Sequence, residues 1–135
     1  MPVRPAPEEG AGRSRVFLRA AIDQERSGSL DEALRGYEAV AGQAEREGDR
    51  AIYSEALRRM AVVHQRRGDA ASARERCERS LGVAAEIGDD LLGAEALNTL
   101  ASFDFETGNM DLARQRFQRA LRLGGDHAPP RGPVG

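Results

Sequence analysis

Three segments of this chain, spaced forty residues apart, share one arrangement of glycine, alanine and a larger side chain. Residues 28–37, 68–77 and 108–117 each begin with glycine and have alanine five residues later. Tyr37, Cys77 or Phe117 then follows four residues after that alanine. A fixed period of about 20 to 50 residues is the sequence signature of stacked repeat architectures. The chain is therefore expected to consist of three copies of one structural unit.

Length and charge limit the number of domains and the class of partner. The chain has 135 residues, which is enough for one continuous hydrophobic core but not for two. Its formal net charge of -2 at pH 7 lacks the basic excess that nucleic acids and anionic membranes usually require of a partner. We therefore expect no nucleic acid and no membrane as a partner. All 20 basic residues are arginine, which we interpret as coding bias of a GC-rich genome.

Cysteine usage and hydropathy predict the compartment. The single cysteine, Cys77, cannot form an internal disulfide, so nothing indicates an oxidising environment. The sequence has no apolar run long enough to span a bilayer and no apolar signal-peptide core after Met1. A cytoplasmic location is the resulting expectation.

Regularly spaced glycines mark the ends of helices. Each of the glycines at positions 28, 48, 68, 88 and 108 is followed by Ser, Asp or Asn. Glycine readily adopts the left-handed conformation that ends a helix, and the next side chain accepts a hydrogen bond from the free N–H groups of the following helix. Six helices are predicted, at about residues 13–27, 30–47, 50–67, 70–87, 90–107 and 110–123. Residues 1–12 and 124–135 contain all six prolines and are predicted to be disordered tails.

Small residues recur at the positions where two helices of a unit would pack. The first helices contain Ala21, Ala61 and Ala101, and the second helices contain Ala33, Ala73 and Ala113. Each set repeats every forty residues. We interpret these alanines as the side chains that allow paired helices to approach closely.

The pattern resembles the tetratricopeptide repeat. In that family a large apolar residue, a leucine three residues later and then glycine or alanine occur in the first helix, and alanine and an aromatic residue four apart occur in the second. Leu97, Leu100, Ala101, Ala113 and Phe117 follow this pattern. The other copies contain Leu57, Met60, Ala61, Ala73 and Cys77, and Phe17, Ala20, Ala21, Ala33 and Tyr37.

The resemblance covers residues 13–123 and implies an all-α fold. It implies a right-handed superhelix of three helix-turn-helix repeats, at about residues 13–47, 49–87 and 89–123. The period of forty is longer than the usual period of about thirty-four, and the usual proline after the second helix is absent. Both departures follow if each helix is about one turn longer, as in the variant common in bacterial regulators and signalling scaffolds. HEAT-type repeats have a similar length and remain the structural alternative, but the glycine, alanine and aromatic register favours the tetratricopeptide pattern.

The resemblance also implies where a partner binds. First helices of the family line a concave groove that holds an extended peptide or a partner helix. On this sequence the predicted groove residues are Leu18, Ile22, Arg58, Val62, Arg66, Asn98, Ser102 and Phe105. The apolar members suit an apolar partner segment, and the arginines and Asn98 are suited to carboxylates or backbone carbonyls. The leading hypothesis is a non-enzymatic adaptor or regulatory protein, and a sensor of a small molecule or signal peptide is the alternative.

Three polar residues replace the tyrosine that the family usually has late in the first helix. These residues are Gln24, His64 and Asp104, and stacked repeats would place them in a row. One interpretation is that they are partly solvated or pair with one another, as His64 with Asp104. The other is a small polar site within the groove.

The sequence contains few residues suited to catalysis. No Cys, His or carboxylate cluster has the spacing of metal ligands, so no metal, no cofactor and no enzyme activity are predicted. Cys77 occupies the position of Tyr37 and Phe117, which favours a packing role over a nucleophile. Arginines recur on the second helices at positions 74, 76, 79, 114, 116 and 119. Interleaved acidic and amide residues favour a solvated outer face over a nucleic-acid surface.

The last predicted helix has apolar side chains on the side where a further repeat would pack. These side chains are Met110, Leu112, Leu121 and Leu123. Repeat stacks usually end with a polar capping helix, which the sequence after Leu123 does not predict. An exposed apolar edge usually marks an interface, so we expect self-association, most simply as a two-fold homodimer. The alternative is that the chain is a fragment of a longer array.

Overall fold

The structure is a computed structural model that describes the backbone of residues 7–124 and the side chains of residues 12–124. Within this range it contains six helices and no strands. The helices are α1 (Pro7–Arg26), α2 (Leu30–Glu47), α3 (Arg50–Arg66), α4 (Ala70–Glu86), α5 (Asp90–Glu106) and α6 (Met110–Gly124). Consecutive helices pack against each other. The predicted all-α repeat solenoid is thereby confirmed.

The helix boundaries agree with the sequence except at the start of α1. This helix begins at Pro7, six residues before the predicted start at residue 13, and so includes residues assigned to the amino-terminal tail. Proline is favourable at the first position of a helix, because its missing N–H has no helical acceptor there, and acidic residues such as Glu8 and Glu9 suit the first turn. Residues 1–6 and 125–135 of the predicted tails lie outside the described residues.

The predicted alternation of glycine and capping residue is present at the helix breaks. Glycines 28, 48, 68, 88 and 108 have φ angles between 66° and 103°, which is the left-handed region. The side chains of Ser29, Asp49, Asp69 and Asp89 accept hydrogen bonds of 3.1 to 3.2 Å from the N–H three residues later. These local interactions define where the helices end and begin.

The alanines of both predicted sets lie in the core. Ala21, Ala33, Ala61, Ala73, Ala101 and Ala113 are each at most 2% exposed. Between α1 and α2 the approach is so close that a Cβ on Gly36 would lie 3.0 Å from the Cβ of Ala21. Small side chains therefore determine the helix spacing within a repeat.

The first helices of the three repeats lie next to one another. Helix α3 packs against both α1 and α5, so these alternate helices form one continuous face of the solenoid. Ion pairs also join neighbouring repeats, as between Glu25 and Arg66 at 3.3 Å. Within the described residues, no helix is both long and apolar enough to cross a membrane.

Candidate partner-binding groove

A depression of about 370 Å³ lies between α1, α3 and α5. Leu18, Ile22, Ile52 and Leu92 supply its apolar lining. Its other lining residues are Arg15, Arg19, Ala51, Glu55 and Asp89. The face of alternate helices thus has an apolar surface with charged side chains at its margin.

A second depression continues the first along α1 and α3. It measures about 410 Å³ and is lined by Ile22, Glu25, Arg26, Arg59 and Arg66. Ile22 belongs to both depressions. We call the two together the groove.

Two acidic side chains of the groove, Glu25 and Glu55, are paired with arginines of α3. Arg59 Nε lies 3.0 Å from an oxygen of Glu55, and Arg66 lies 3.3 Å from Glu25. Glu25 also accepts a hydrogen bond from the hydroxyl of Tyr37. Burial and the neighbouring Glu25 raise the pKa of Tyr37 well above its usual value, so this hydroxyl remains a hydrogen-bond donor.

Three arginines of α1 carry charge that the described residues do not neutralise. Arg15, Arg19 and Arg26 have no ion pair within residues 12–124, and all three line the groove. Together with Ile22 they follow the spacing i, i+4, i+7 and i+11, which places them on one face of the helix. The groove therefore offers guanidinium groups beside an apolar floor.

The structure brings only part of the predicted groove set together. Leu18, Ile22 and Arg66 line the groove, although Leu18 is 7% exposed and belongs mainly to the core. Arg15, Arg19 and Arg26 are not among the residues predicted from the sequence. Their heptad-like spacing around Ile22 is the signal that would have identified them.

The other predicted groove residues lie outside the two depressions, on α3 and α5. Arg58 pairs with Glu95 at 3.3 Å, and its buried Nε has no hydrogen-bond partner within residues 12–124. Ser102 donates to the carbonyl of Asn98 within its own helix, at 3.0 Å. Val62 is half-buried and Phe105 is exposed. A role of this region in binding remains a prediction.

The three residues of the predicted polar row have different environments. Asp104 is completely buried. Arg116 donates to its Oδ2 at 2.6 Å, and Arg74 forms an ion pair with its Oδ1 at 2.9 Å without hydrogen-bond alignment. The predicted outer-face position of these two arginines is therefore wrong, because a buried carboxylate requires partners of opposite charge.

His64, which the sequence analysis paired with Asp104, contacts a different carboxylate. Its Nδ1 lies 3.9 Å from Asp69. Burial lowers the pKa of His64, and the coulombic effect of Asp69 opposes this only in part. Gln24 is exposed, with its side chain next to Gly36.

Cys77 has the environment of a packing residue. Its side chain is 0% exposed, and its thiol donates to the carbonyl of Ala96 at 3.3 Å. Burial raises the pKa of the thiol to about 12, so the reactive thiolate is disfavoured. The described residues also contain no group of three or more His, Cys, Asp or Glu side chains placed to hold a metal.

Apolar side chains are exposed at both ends of the stack. On α6, Met110, Phe117 and Leu121 are 46%, 41% and 61% exposed, and we call them the tail face. On α1, Val16 and Phe17 are 65% and 41% exposed, and we call them the head face. Of the other predicted edge residues, Leu112 is half-buried and Leu123 packs against the α5 cluster near Gly93.

The fold defines a helical-repeat protein with a groove along its alternate helices. A tetratricopeptide repeat model matches residues 53–125. This match covers more than half of the 135 residues, and the chain belongs to that family. Tetratricopeptide repeats generally mediate protein–protein interactions and are typically non-catalytic scaffolds. A search of curated proteins found no match.

Proposed function

We propose that this protein is a non-catalytic adaptor or regulatory protein that binds a partner segment in the groove. The observation that carries the proposal is the alignment of Arg15, Arg19 and Arg26 beside Ile22 on α1. Free guanidinium groups bind carboxylates strongly, and an apolar floor binds aliphatic or aromatic side chains. The partner segment is therefore expected to combine apolar and acidic residues. The bacterial cytoplasm, predicted from the sequence, is the proposed setting.

The shape of the groove favours a segment of polypeptide over a small molecule. Its two depressions meet at Ile22 and extend over three helices. Sites for small molecules usually enclose most of the ligand surface, whereas a surface groove of this length matches an extended or helical segment. A small-molecule or signal-peptide sensor is the alternative outcome of the following experiment.

Selection of displayed peptides on the full chain tests the proposal. We expect the selected sequences to combine Asp or Glu with apolar residues, and to lose at least tenfold in affinity for Arg19→Glu and Ile22→Glu. Leu91→Glu is the control, because Leu91 is exposed and does not line the groove. Val62→Glu tests the region on α3 that the sequence analysis predicted.

Two results would contradict binding of an acidic segment in the groove. One is selection of basic peptides, or of peptides whose affinity is unchanged in Arg19→Glu and Ile22→Glu. The other is that no peptide binds while small molecules alone raise the melting temperature, which would favour the sensor.

We also propose that the tail face binds a second copy of the chain. Met110, Phe117 and Leu121 lie on one stripe of α6, because they follow the spacing i, i+7 and i+11. Apolar patches of this kind usually mark interfaces. The simplest geometry is the two-fold homodimer predicted from the sequence. Sedimentation that shows a strict monomer at tens of micromolar would contradict self-association.

A further inference from the structure

We infer that copies of this chain join head to tail, with the tail face of one copy against the head face of the next. This rests on the self-association proposed above and replaces the two-fold geometry with a heterologous one. The new contact would repeat, between two molecules, the junction that already joins the repeats within one molecule.

The internal junctions show which positions meet. The Cys77 thiol of the second repeat lies 3.3 Å from the carbonyl oxygen of Ala96 in the third. Forty residues earlier the corresponding positions are Tyr37 and Ala56, and both are 0% exposed. Phe117 is the residue equivalent to Cys77 in the third repeat. In a following repeat it would contact the position equivalent to Ala96. In a second copy that position is Val16.

The head face consists of positions that are covered in the other two repeats. Ala56 and Ala96, which correspond to Val16, are each 0% exposed, whereas Val16 is 65% exposed. Leu57 and Leu97, which correspond to Phe17, are 2% and 0% exposed, whereas Phe17 is 41% exposed. Both head positions therefore lack the cover that a preceding repeat supplies elsewhere.

The tail face consists of positions that a following repeat covers elsewhere. Phe117 is 41% exposed, whereas Tyr37 and Cys77 are fully buried. Leu121 is 61% exposed, whereas its counterpart in the first repeat, Ala41, is 7% exposed. Each face thus supplies the neighbour that the other lacks.

The polar contacts of the internal junctions are compatible with the same arrangement between molecules. Four ion pairs join neighbouring repeats, namely Glu25–Arg66, Asp31–Arg67, Arg58–Glu95 and Arg74–Asp104. The same positions at the new junction would pair Phe105 with Arg26, Asp111 with Ser27, Asn98 with Arg15, and Arg114 with Gln24 of the second copy. None of these pairs places like charges together. Arg26 against Phe105 is also a suitable pair for a cation–π contact.

Two other ways of covering the head and tail faces account for less of their exposed apolar surface. Residues 125–135 contain three prolines, and Val134 is their only aliphatic residue larger than alanine. That composition does not supply an amphipathic helix for the tail face. A two-fold dimer through α6 would cover the tail face but leave Val16 and Phe17 exposed. Of these three occupants, a second copy joined head to tail is the one that covers both faces.

Heterologous contacts have a distinctive consequence for assembly. A head-to-tail contact between two copies leaves one free head and one free tail, so further copies can add unless the rotation closes a ring. The average mass of the wild-type chain in sedimentation is therefore expected to rise with concentration beyond that of a dimer.

Complementation between two variants tests this geometry. Val16→Glu places a charge on the head face, and Leu121→Glu places a charge on the tail face. Each variant should therefore lose binding through the face that it alters. Each variant alone is expected to be a monomer at tens of micromolar. An equimolar mixture is expected to form a 1:1 dimer in sedimentation, because one intact head and one intact tail remain. Phe117→Glu is the second tail variant, and Leu91→Glu is the control that keeps wild-type assembly. Circular dichroism melts check that the variants fold.

The results distinguish failure of the head-to-tail arrangement from failure of self-association in general. If Val16→Glu alone still dimerises while Leu121→Glu does not, the contact is two-fold through α6 and the head-to-tail arrangement is wrong. If the wild type is a strict monomer at these concentrations, both proposals fail. A mixture that stays monomeric while the wild type assembles also overturns the head-to-tail arrangement.

Discussion

The junctions inside the stack and the faces at its two ends are built from equivalent positions, yet their environments differ. Tyr37 and Cys77 are fully buried because the next repeat covers them, whereas Phe117 is 41% exposed. The aromatic residues Tyr37 and Phe117 thus occupy matching sites with opposite degrees of burial. In a repeat protein, the neighbouring repeat decides whether a side chain belongs to the core.

Electrostatic contacts differ between the same two regions. Arg74 forms an ion pair at the junction with the buried Asp104 at 2.9 Å. Its counterpart Arg114 has a side chain that is 69% exposed and only a 3.9 Å contact with Asp111 on its own helix. At the junction the arginine pairs with a buried carboxylate, whereas the equivalent arginine at the end of the stack faces solvent.

The largest difference is expected between Tyr37→Ala and Phe117→Ala. Loss of the buried Tyr37 ring should cost about 3 to 5 kcal/mol of unfolding free energy, whereas Phe117→Ala should cost less than about 2 kcal/mol, because its ring is partly solvated. Urea denaturation at a concentration that keeps the chain monomeric measures both. Tyr37→Phe is the control that keeps the ring and removes the hydroxyl with its hydrogen bond to Glu25. Equal losses for the two alanine variants would contradict the difference in burial between Tyr37 and Phe117.

Enlarging an alanine inside a repeat tests the close approach of its helices. Ala73→Leu should cost roughly 1 to 3 kcal/mol by overpacking α3 against α4. Ala71→Leu, at an exposed position of the same helix, is the control and should leave the melting temperature nearly unchanged. An Ala73→Leu protein that melts no lower than wild type would show that Ala73 does not limit helix spacing.

The two equivalent arginines provide a third comparison. Arg74→Ala should cost about 1 to 2 kcal/mol, because it removes one of the two cations around the buried Asp104. Arg114→Ala should have no measurable effect, because exposed ion pairs contribute little. Chemical denaturation of both variants measures the difference. Indistinguishable midpoints would mean that Arg116 alone satisfies Asp104.

Alanine substitutions at two helical glycines distinguish the effect of helix propensity from the effect of packing between helices. Gly82→Ala should stabilise by about 0.5 to 1 kcal/mol, because its Cβ would have no heavy atom within 4 Å. Gly36→Ala should be less stable than Gly82→Ala by about 1 kcal/mol, because its Cβ would lie 3.0 Å from Ala21. Thermal melts compare them, and an equal gain at both positions would show that α1 and α2 can separate without cost.

The smallest expected effect is the pH dependence due to His64. Burial lowers the pKa of His64 below its ordinary value of 6.5, so protonation favours the unfolded chain. Its contribution to stability is fully present above about pH 6.5 and is lost as the pH falls below that value. The melting temperature should therefore be lower at pH 5.5 than at pH 7.5, with a smaller decrease in His64→Gln. An identical decrease in both proteins would exclude His64 as the cause.

The helices, their breaks and their pairing into repeats can be predicted from the amino-acid sequence. These features depend on local chemistry: a left-handed glycine, a capping side chain and alanines at a fixed period act within one helix or one hairpin. Even the packing role of Cys77 followed from its equivalence to Tyr37 and Phe117. The start of α1 is the exception, because Pro- and Gly-rich composition is typical of a disordered tail, whereas Pro7 occupies the favourable first position of the helix.

Contacts between side chains of different helices could not be predicted, because they depend on how the repeats pack. The pairing of Asp104 with Arg74 and Arg116, and the position of Arg15 and Arg19 beside residues of α3 in the groove, depend on how separate helices face one another. The exposure of Phe117 depends likewise on which helix lies opposite. Equivalent positions in the sequence have the same local propensities, but burial and charge pairing depend on the surrounding repeats, which a local pattern does not encode.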